Sequence, residues 1–157
     1  MVDRHAHDAP SHDEVHETAA LRLSSRGRQR YTSSRRAIVE VLSSSSCPLT
    51  LPQILGADPS LAQSSAYRNL TELISAGVVH RIVGADEHAH FELAEDLTGH
   101  HHHLICVVCG SVSDFRIPDE LEQGLDRALD QVASDEGFAV TGHRLDLLGH
   151  CATCRTD

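Results

Sequence analysis

Two C-x-x-C pairs, Cys106/Cys109 and Cys151/Cys154, constrain this chain more than anything else in it. Each pair curls a tight turn that brings two thiolates to one point, and two such turns complete a tetrahedron around Zn²⁺. Disulfides are the other use for four cysteines. The opening Met1-Val2-Asp3-Arg4-His5 lacks the apolar core of a signal peptide, so a cytoplasmic, reducing address is expected, where paired thiols bind metal. Forty-one residues separate the pairs, more than in a compact zinc ribbon, so the metal would pin the last strand to the first hairpin of the C-terminal part. Structural zinc binds with about 10–16 kcal/mol, enough to hold such a subdomain together. The bland reading is buried thiols or a redox pair. Cys47 is left over and reads first as a core residue.

The charge is uneven. The 157 residues carry a formal −10, but residues 1–20 hold −4, residues 21–83 hold +5 and residues 84–157 hold −11. A basic block between acidic flanks keeps nucleic acid in view despite the whole-chain balance. All thirteen cations are Arg, which suits bidentate phosphate contacts, although a genome-wide bias would also remove Lys. No apolar run approaches the roughly 20 residues of a membrane span.

Residues 1–20, with four His, five acids and few apolar residues, read as a disordered tail that could loosely hold metal through His5, His7, His12 and His16. A short helix is possible at Leu21–Arg26. Thr32-Ser33-Ser34-Arg35 caps a helix with Ala37, Ile38, Val41 and Leu42 on one face. Thr50 caps another over Leu51–Leu55. A third spans Leu61–Ala76, with Ala62, Ala66, Leu70, Leu73 and Ile74 inward, and Gly77 stops it. Val78–Val83 and His88–Leu93 read as strands around the turn Gly84-Ala85-Asp86-Glu87.

Three helices and a hairpin in the basic block describe a winged helix-turn-helix. The third helix would enter the major groove and offer Gln63, Ser64, Ser65, Tyr67 and Arg68. Phosphate contacts are expected from Arg26, Arg28, Arg30, Arg35, Arg36 and Arg68. Such a helical hairpin is often only a surface, and alone it does not decide for DNA. The division is a tail at 1–20, a winged-helix domain at 21–93, a hinge at 94–99 and a metal-binding domain at 100–157. In the last, strands His100–Cys106 and Ser111–Phe115 precede a helix over Pro118–Glu136 with Leu121, Leu125, Ala128, Leu129 and Val132 on its buried stripe. Phe138–Leu148 closes it as a strand. The class is α+β.

The run His100-His101-His102-His103 lies inside the chain. Strand side chains alternate faces, so His100 and His102 point one way and His101 and His103 the other, which implies two separate metal sites. Glu122, one turn into the helix, and His143 make a plausible set with His100 and His102. For His101 and His103 the partners stay open among Glu92, Asp96, His80, Asp114 and Cys47. The bland alternative is a solvated His run.

These residues carry a resemblance. Tyr67-Arg68-Asn69-Leu70, Phe91-Glu92-Leu93, His100–His103 running into Leu104-Ile105-Cys106-x-x-Cys109-Gly110, and Gly149-His150-Cys151-x-x-Cys154 look like the ferric uptake regulator family of metal-dependent bacterial repressors, over residues 22–155. The resemblance implies a homodimer with an N-terminal winged helix-turn-helix and a small α/β dimerisation subdomain. It puts structural zinc on Cys106, Cys109, Cys151 and Cys154. It puts a site within the dimerisation subdomain on His100, His102, Glu122 and His143, with Glu122 matching across one extra residue. The regulatory site between subdomains falls on His101, His103 and Glu92, with Asp114 as a further ligand. Cys47 stands where the family often has a histidine. His80 stands where zinc-sensing members have an acidic residue, so either is a possible regulatory ligand. Mixed N and O donors suit Fe²⁺, Mn²⁺, Ni²⁺ or Zn²⁺, a Cys ligand tilts toward Zn²⁺, and Fe²⁺ or Zn²⁺ are favoured.

The implied function is repression of an inverted-repeat, double-stranded DNA operator when the regulatory site is loaded. No membrane partner, no catalysis and no small-molecule substrate beyond metal ions are expected. A peroxide sensor, whose iron oxidises its own His ligand, is the closest rival. A metal-buffering protein leaves the basic half unexplained. A zinc hydrolase lacks a His-Glu-x-x-His and an open three-ligand site.

Overall fold

A computed structural model describes residues 10–25, 29–83 and 88–155. The first helix, α1 (His12–Ser25), overturns the reading of residues 12–20 as part of a disordered tail. Val15, Ala19 and Leu23, spaced by four, lie on one helical face and are buried in the core. The helix starts at a reciprocal cap: the Ser11 backbone N–H donates to Glu14 Oε2 at 2.7 Å, and the Glu14 N–H to Ser11 Oγ at 3.4 Å. Low mean hydropathy hid three well-placed apolar residues. The short helix expected at Leu21–Arg26 is the last turn of α1. Arg26, Arg28, His5, His7 and the turn 84–87 lie outside the described residues.

Three helices and a sheet follow in the predicted order. Thr32 caps α2 (Ser33–Ser43), its hydroxyl accepting from the Arg35 N–H. Strand β1 (Leu49–Thr50) leads into α3 (Leu51–Ala57), whose Pro52 sits in the first turn, where its missing N–H costs nothing. Helix α4 (Gln63–Ser75) buries Ala66, Leu70 and Leu73 but leaves Ala62 exposed. Gly77, at φ +71°, turns the chain out of α4 into β2 (Val79–Val83), as a residue with a Cβ does only under strain. Strand β3 (Ala89–Leu93) pairs with β2 and also with β1, giving a three-stranded wing ordered β1-β3-β2. Helices and wing enclose one core built on Ile38, Val39, Ile54, Leu73, Val78 and Leu93.

The predicted hinge holds a one-turn helix, α5 (Glu95–Thr98), ended by Gly99. Beyond it β4 (His102–Cys106) is the centre of a second sheet, antiparallel to β5 (Val112–Phe115) and parallel to β6 (Asp146–Gly149). The connection from β5 to β6 is α6 (Asp119–Asp135). The strand predicted over Phe138–Leu148 is regular only from Asp146, and β6 runs on through Gly149.

The stripe predicted as buried on α6 is not. Leu121 and Val132 are each 62% exposed, Ala128 is exposed, and Leu125 and Leu129 are half-buried. The periodicity is sound, but among the described residues the buried apolar cluster of this half is small, Ile105 and Val112 with Ile82 of the wing, and the stripe faces outward. No helix among the described residues is long and apolar enough to cross a membrane.

Candidate metal centres and DNA-facing surface

The four cysteines of the two C-x-x-C pairs converge. Their sulfurs all lie within 4.8 Å of one another, and no disulfide links them. Sulfurs about 2.3 Å from zinc in a tetrahedron stand about 3.8 Å apart. Cys109 Sγ and Cys151 Sγ are 3.8 Å apart. Backbone placement does the work: β4 delivers Cys106, the Gly110 turn delivers Cys109, and parallel β6 ends at Gly149 beside Cys106. Backbone N–H groups of Cys109, Cys151 and Val108 lower the Cys106 thiol to about 6. The neighbouring thiols Cys151 and Cys109 push Cys154 up to about 12. Backbone N–H groups lower Cys151 too, so Cys106 and Cys151 are the readier thiolates beside a reluctant Cys154, whose proton a divalent metal would displace. The donor set fits zinc.

The His run splits between two faces as expected, although β4 begins only at His102 and His100 and His101 lead into it. His100 and His102 meet the buried Glu122 of α6: His100 Nε2 lies 2.9 Å from one carboxylate oxygen and His102 Nε2 2.9 Å from the other. His143 Nε2 lies 3.0 Å from Glu122 Oε1 but without hydrogen-bond geometry, so a buried ring nitrogen aimed at the cluster has no partner. Orphaned nitrogens are costly to bury and fit a metal ligand. Burial would raise the Glu122 carboxyl, but the His102 hydrogen bond and the neighbouring imidazoles together hold it below its ordinary range. Asp126 Oδ1, 3.2 Å from His143 Nδ1, and Glu95, bonded to His100 Nδ1, orient the rings from behind. The sequence reading had missed both.

On the other face, His101 and His103 meet Glu92 of β3, across α5. Their Nε2 atoms lie 3.0 and 3.1 Å from Glu92 Oε2, and Asp114 of β5 lies 4.0 Å from His103 Nε2. His101 Nδ1 donates to the Gly99 carbonyl at 2.9 Å, which orients the ring with Nε2 facing the cluster. Asp146 Oδ1, also missed, is 3.3 Å from His103 Nδ1. The Glu92 hydrogen bond raises His101 to about 9 against its desolvation. Burial acts to raise Glu92, yet its bonds from His101 and His103 bring it down to about 2. Desolvation acts to lower His103, but the Glu92 bond outweighs it, while burial raises Asp114. Two nitrogens and two carboxylates within 4.8 Å fit a divalent metal of mixed N/O preference.

The other ligands considered for this centre stay outside it. His80 faces Glu92 in register on β2 but is exposed and not part of the cluster. Asp96 is paired with Arg22. Cys47 is half-buried and lines a cleft of about 610 Å³ with Glu92, His101 and Asp114, yet its sulfur lies near Ser45 and not within the ligand cluster.

On α4, Ser64, Tyr67 and Arg68 are exposed, and Ser65 is half-buried with its hydroxyl donating to the Ala62 carbonyl. Arg30 and Arg36 are exposed as well. Arg35 is a correction. It is 9% exposed, and its guanidinium donates to Asn69 Oδ1 at 3.2 Å, the Arg30 carbonyl at 2.7 Å and Gln29 Oε1 at 2.6 Å. It ties α2 to α4 from inside and presents no free face to a phosphate. One helical turn separates Arg35 from the inward Ile38 and Val39, which places it on the core side.

A family model described as the ferric uptake regulator family matches residues 27–148. The peroxide operon regulator of Bacillus subtilis (strain 168) is 33% identical over 129 residues, covering 80% of this chain and 83% of its own. Among solved structures, the ferric uptake regulator of Helicobacter pylori, reported with three functional metal binding sites, superposes with a TM-score of 0.73 at 20% identity, over 96% of this chain and 98% of that one. That of Vibrio cholerae superposes with a TM-score of 0.63 at 27% identity, over 82% and 96%.

Proposed function

The chain belongs to the ferric uptake regulator family, and on that premise we propose that it is a metal-responsive repressor that closes on an inverted-repeat operator as a dimer. One observation carries the reading. Glu92 belongs to the wing sheet, whereas His103 and Asp114 belong to the second sheet and His101 immediately precedes it, and all four converge across α5. Glu92, His101, His103 and Asp114 would hold a divalent ion, which would supply bonds between the two halves; Glu92 would then tie the wing to the second sheet and restrict rotation at 94–99. The loaded state is favoured to the extent that the ligands meet only when closed, typically by about 1–3 kcal/mol.

Cys106, Cys109, Cys151 and Cys154 serve as the structural zinc site, and His100, His102, Glu122 and His143 as a centre inside the dimerisation subdomain. With Cys47 outside the regulatory set, two imidazoles and two carboxylates favour Fe²⁺ over a thiol-selecting zinc site, with Mn²⁺, Ni²⁺ and Zn²⁺ also compatible. Leu121, Val132, Phe138 and Leu148 are all exposed, and these apolar side chains would supply the contact with a second copy of the chain. Tyr67, Arg68, Ser64 and Ser65 on α4 would face base edges and sugar, and Arg30 the phosphates.

Fluorescence anisotropy on the protein's own promoter DNA tests this. Chelated protein should bind weakly, and one of Fe²⁺, Mn²⁺, Ni²⁺ or Zn²⁺ should restore tight binding. An intact dimer that ignores the DNA under every metal refutes the repressor. The Bacillus peroxide regulator among the relatives supports a second reading, peroxide sensing by the same centre. A mass gain of one oxygen on His101 or His103 of the iron-loaded protein after peroxide would establish it, and unmodified peptides would exclude it.

A further inference from the structure

The structure gathers a fourth set of metal-binding side chains, remote in sequence from the His run and the cysteines. His12 and His16, one turn apart on α1, meet Glu40 of α2. His12 Nε2 lies 2.8 Å and His16 Nε2 3.1 Å from the same carboxylate oxygen, Glu40 Oε2. The two rings stand edge to face with centroids 4.7 Å apart, so both Nε2 atoms address one point. One ligand atom from each residue falls within 4.8 Å of the others.

His16 is 4% exposed, and its far nitrogen, Nδ1, is hydrogen-bonded to the hydroxyl of Tyr31. Metal-binding histidines are commonly fixed by a partner on the nitrogen that does not bind. With Nδ1 protonated and donating to Tyr31 Oη, the Nε2 lone pair is free to point at the cluster. Burial raises the Tyr31 hydroxyl to about 12, so it stays neutral and able to accept that bond. Val15, Ala19 and Leu23 anchor the same helix in the core, which holds His16 in place without metal.

We propose that His12, His16 and Glu40 form a divalent transition-metal site that clamps α1 onto α2. Two imidazoles and one carboxylate are a donor set that Zn²⁺ accepts, with the remaining position open to water because His12 and Glu40 are each about half exposed. Since α1 also packs against α4, the clamp steadies the helix that carries Tyr67 and Arg68. His12 further lines the cleft that contains Glu92, His101 and Asp114, so the two centres share one solvent space.

The test counts metal on the full-length chain. Wild type, His12→Ala and Glu40→Gln, each retaining its cysteine-bound zinc, are dialysed to equilibrium against micromolar free Zn²⁺ and assayed by mass spectrometry. Both residues are half exposed, so melting temperatures of the zinc-retaining proteins without added Zn²⁺ should match wild type and show that folding is retained. Each variant is expected to carry one equivalent fewer per chain. In wild type, the ¹⁵N resonance of His16 Nε2 should move on Zn²⁺ addition, and in His12→Ala it should not. Unchanged stoichiometry in both variants, or a His16 ring insensitive to Zn²⁺ in wild type, overturns the proposal and leaves a hydrogen-bonded histidine pair. DNA binding is not the readout, so the outcome is independent of the repressor assignment.

Discussion

Raising the pH from about 7 to about 8 should tighten metal binding at the Glu92–His101–His103–Asp114 centre roughly tenfold. The reason lies in the metal-free protein. Glu92 accepts from His101 Nε2 at 3.0 Å and raises that imidazole to about 9, so His101 is an imidazolium near neutrality. A metal can take Nε2 only after the proton leaves. The neutral fraction is about 1% at pH 7 and about 10% at pH 8, and apparent affinity follows it. An ordinary histidine at 6.5 is already mostly neutral, and the same step would change its affinity by less than about 1.5-fold. His103 is also raised, which can only steepen the slope. The assay is competition against a chromophoric chelator of known pH dependence, in a Glu122→Gln background that weakens the second His cluster. Glu92→Gln adds the control. It removes the largest cause of the His101 shift, so the slope should collapse toward the ordinary value even as overall affinity falls. A wild-type change below about twofold, or equal slopes with and without Glu92, would refute the argument that this carboxylate stores a proton on its own co-ligand.

The same pair makes the metal-free protein's stability pH-dependent. His101, raised from 6.5 to about 9, contributes fully below 6.5 and loses its contribution as pH rises through about 9. Glu92, lowered from 4.5 to about 2, contributes above 4.5 and loses it as pH falls through about 2. Counted once, the interaction is worth up to about 3 kcal/mol, and urea midpoints at pH about 6 and about 9.5 should differ in wild type more than in Glu92→Gln. Arg35→Ala should destabilise the fold by about 1–3 kcal/mol in urea by stranding Asn69. Arg68→Ala should leave melting unchanged and reduce the slope of log K against log salt by about 0.9 if Arg68 contacts a phosphate. Leu23→Ala should cost about 2–5 kcal/mol in the same titration, whereas truncating a residue of a solvated segment would cost nothing. Leu121→Glu should convert dimer to monomer in sedimentation, and a dimer that persists would place the interface elsewhere.

Secondary structure in the basic block was legible because each helix carries its own punctuation. Thr32 and Thr50 open α2 and α3, and Gly77 closes α4. Helix α1 was not, since its composition is that of a solvated segment. Ser11-x-x-Glu14, with Val15, Ala19 and Leu23 spaced by four, was the signal that outweighed composition. Arg35 was misplaced for a related reason. Its charge suggested a phosphate, yet its phase on α2 turns it toward Asn69, and a guanidinium buried among three acceptors is satisfied without a ligand. The outward stripe of α6 shows the opposite limit: periodicity reveals that a face is apolar, and only the fold reveals whether the same chain covers it.

The His run illustrates how far local geometry alone can carry function. Alternation along a strand predicts that four consecutive histidines serve two opposite faces; only His102 and His103 lie in β4, yet the lead-in keeps the alternation and each face has its own carboxylate. The two carboxylates differ in where they come from. Glu122 rides on α6, within the same half as its histidines, so binding there can stiffen that half but has no leverage on the wing. Glu92 comes from the wing itself, on the far side of α5, so any ligand shared by Glu92, His101 and His103 is paid out of the relative position of the two halves. The loss of coupling between metal and DNA must therefore be larger for Glu92→Gln than for Glu122→Gln, measured as the fall in the ratio of operator affinities with and without metal. If both variants lower that ratio equally, the centre between the halves holds no special place in the switch, and stiffening of the second sheet is the better account.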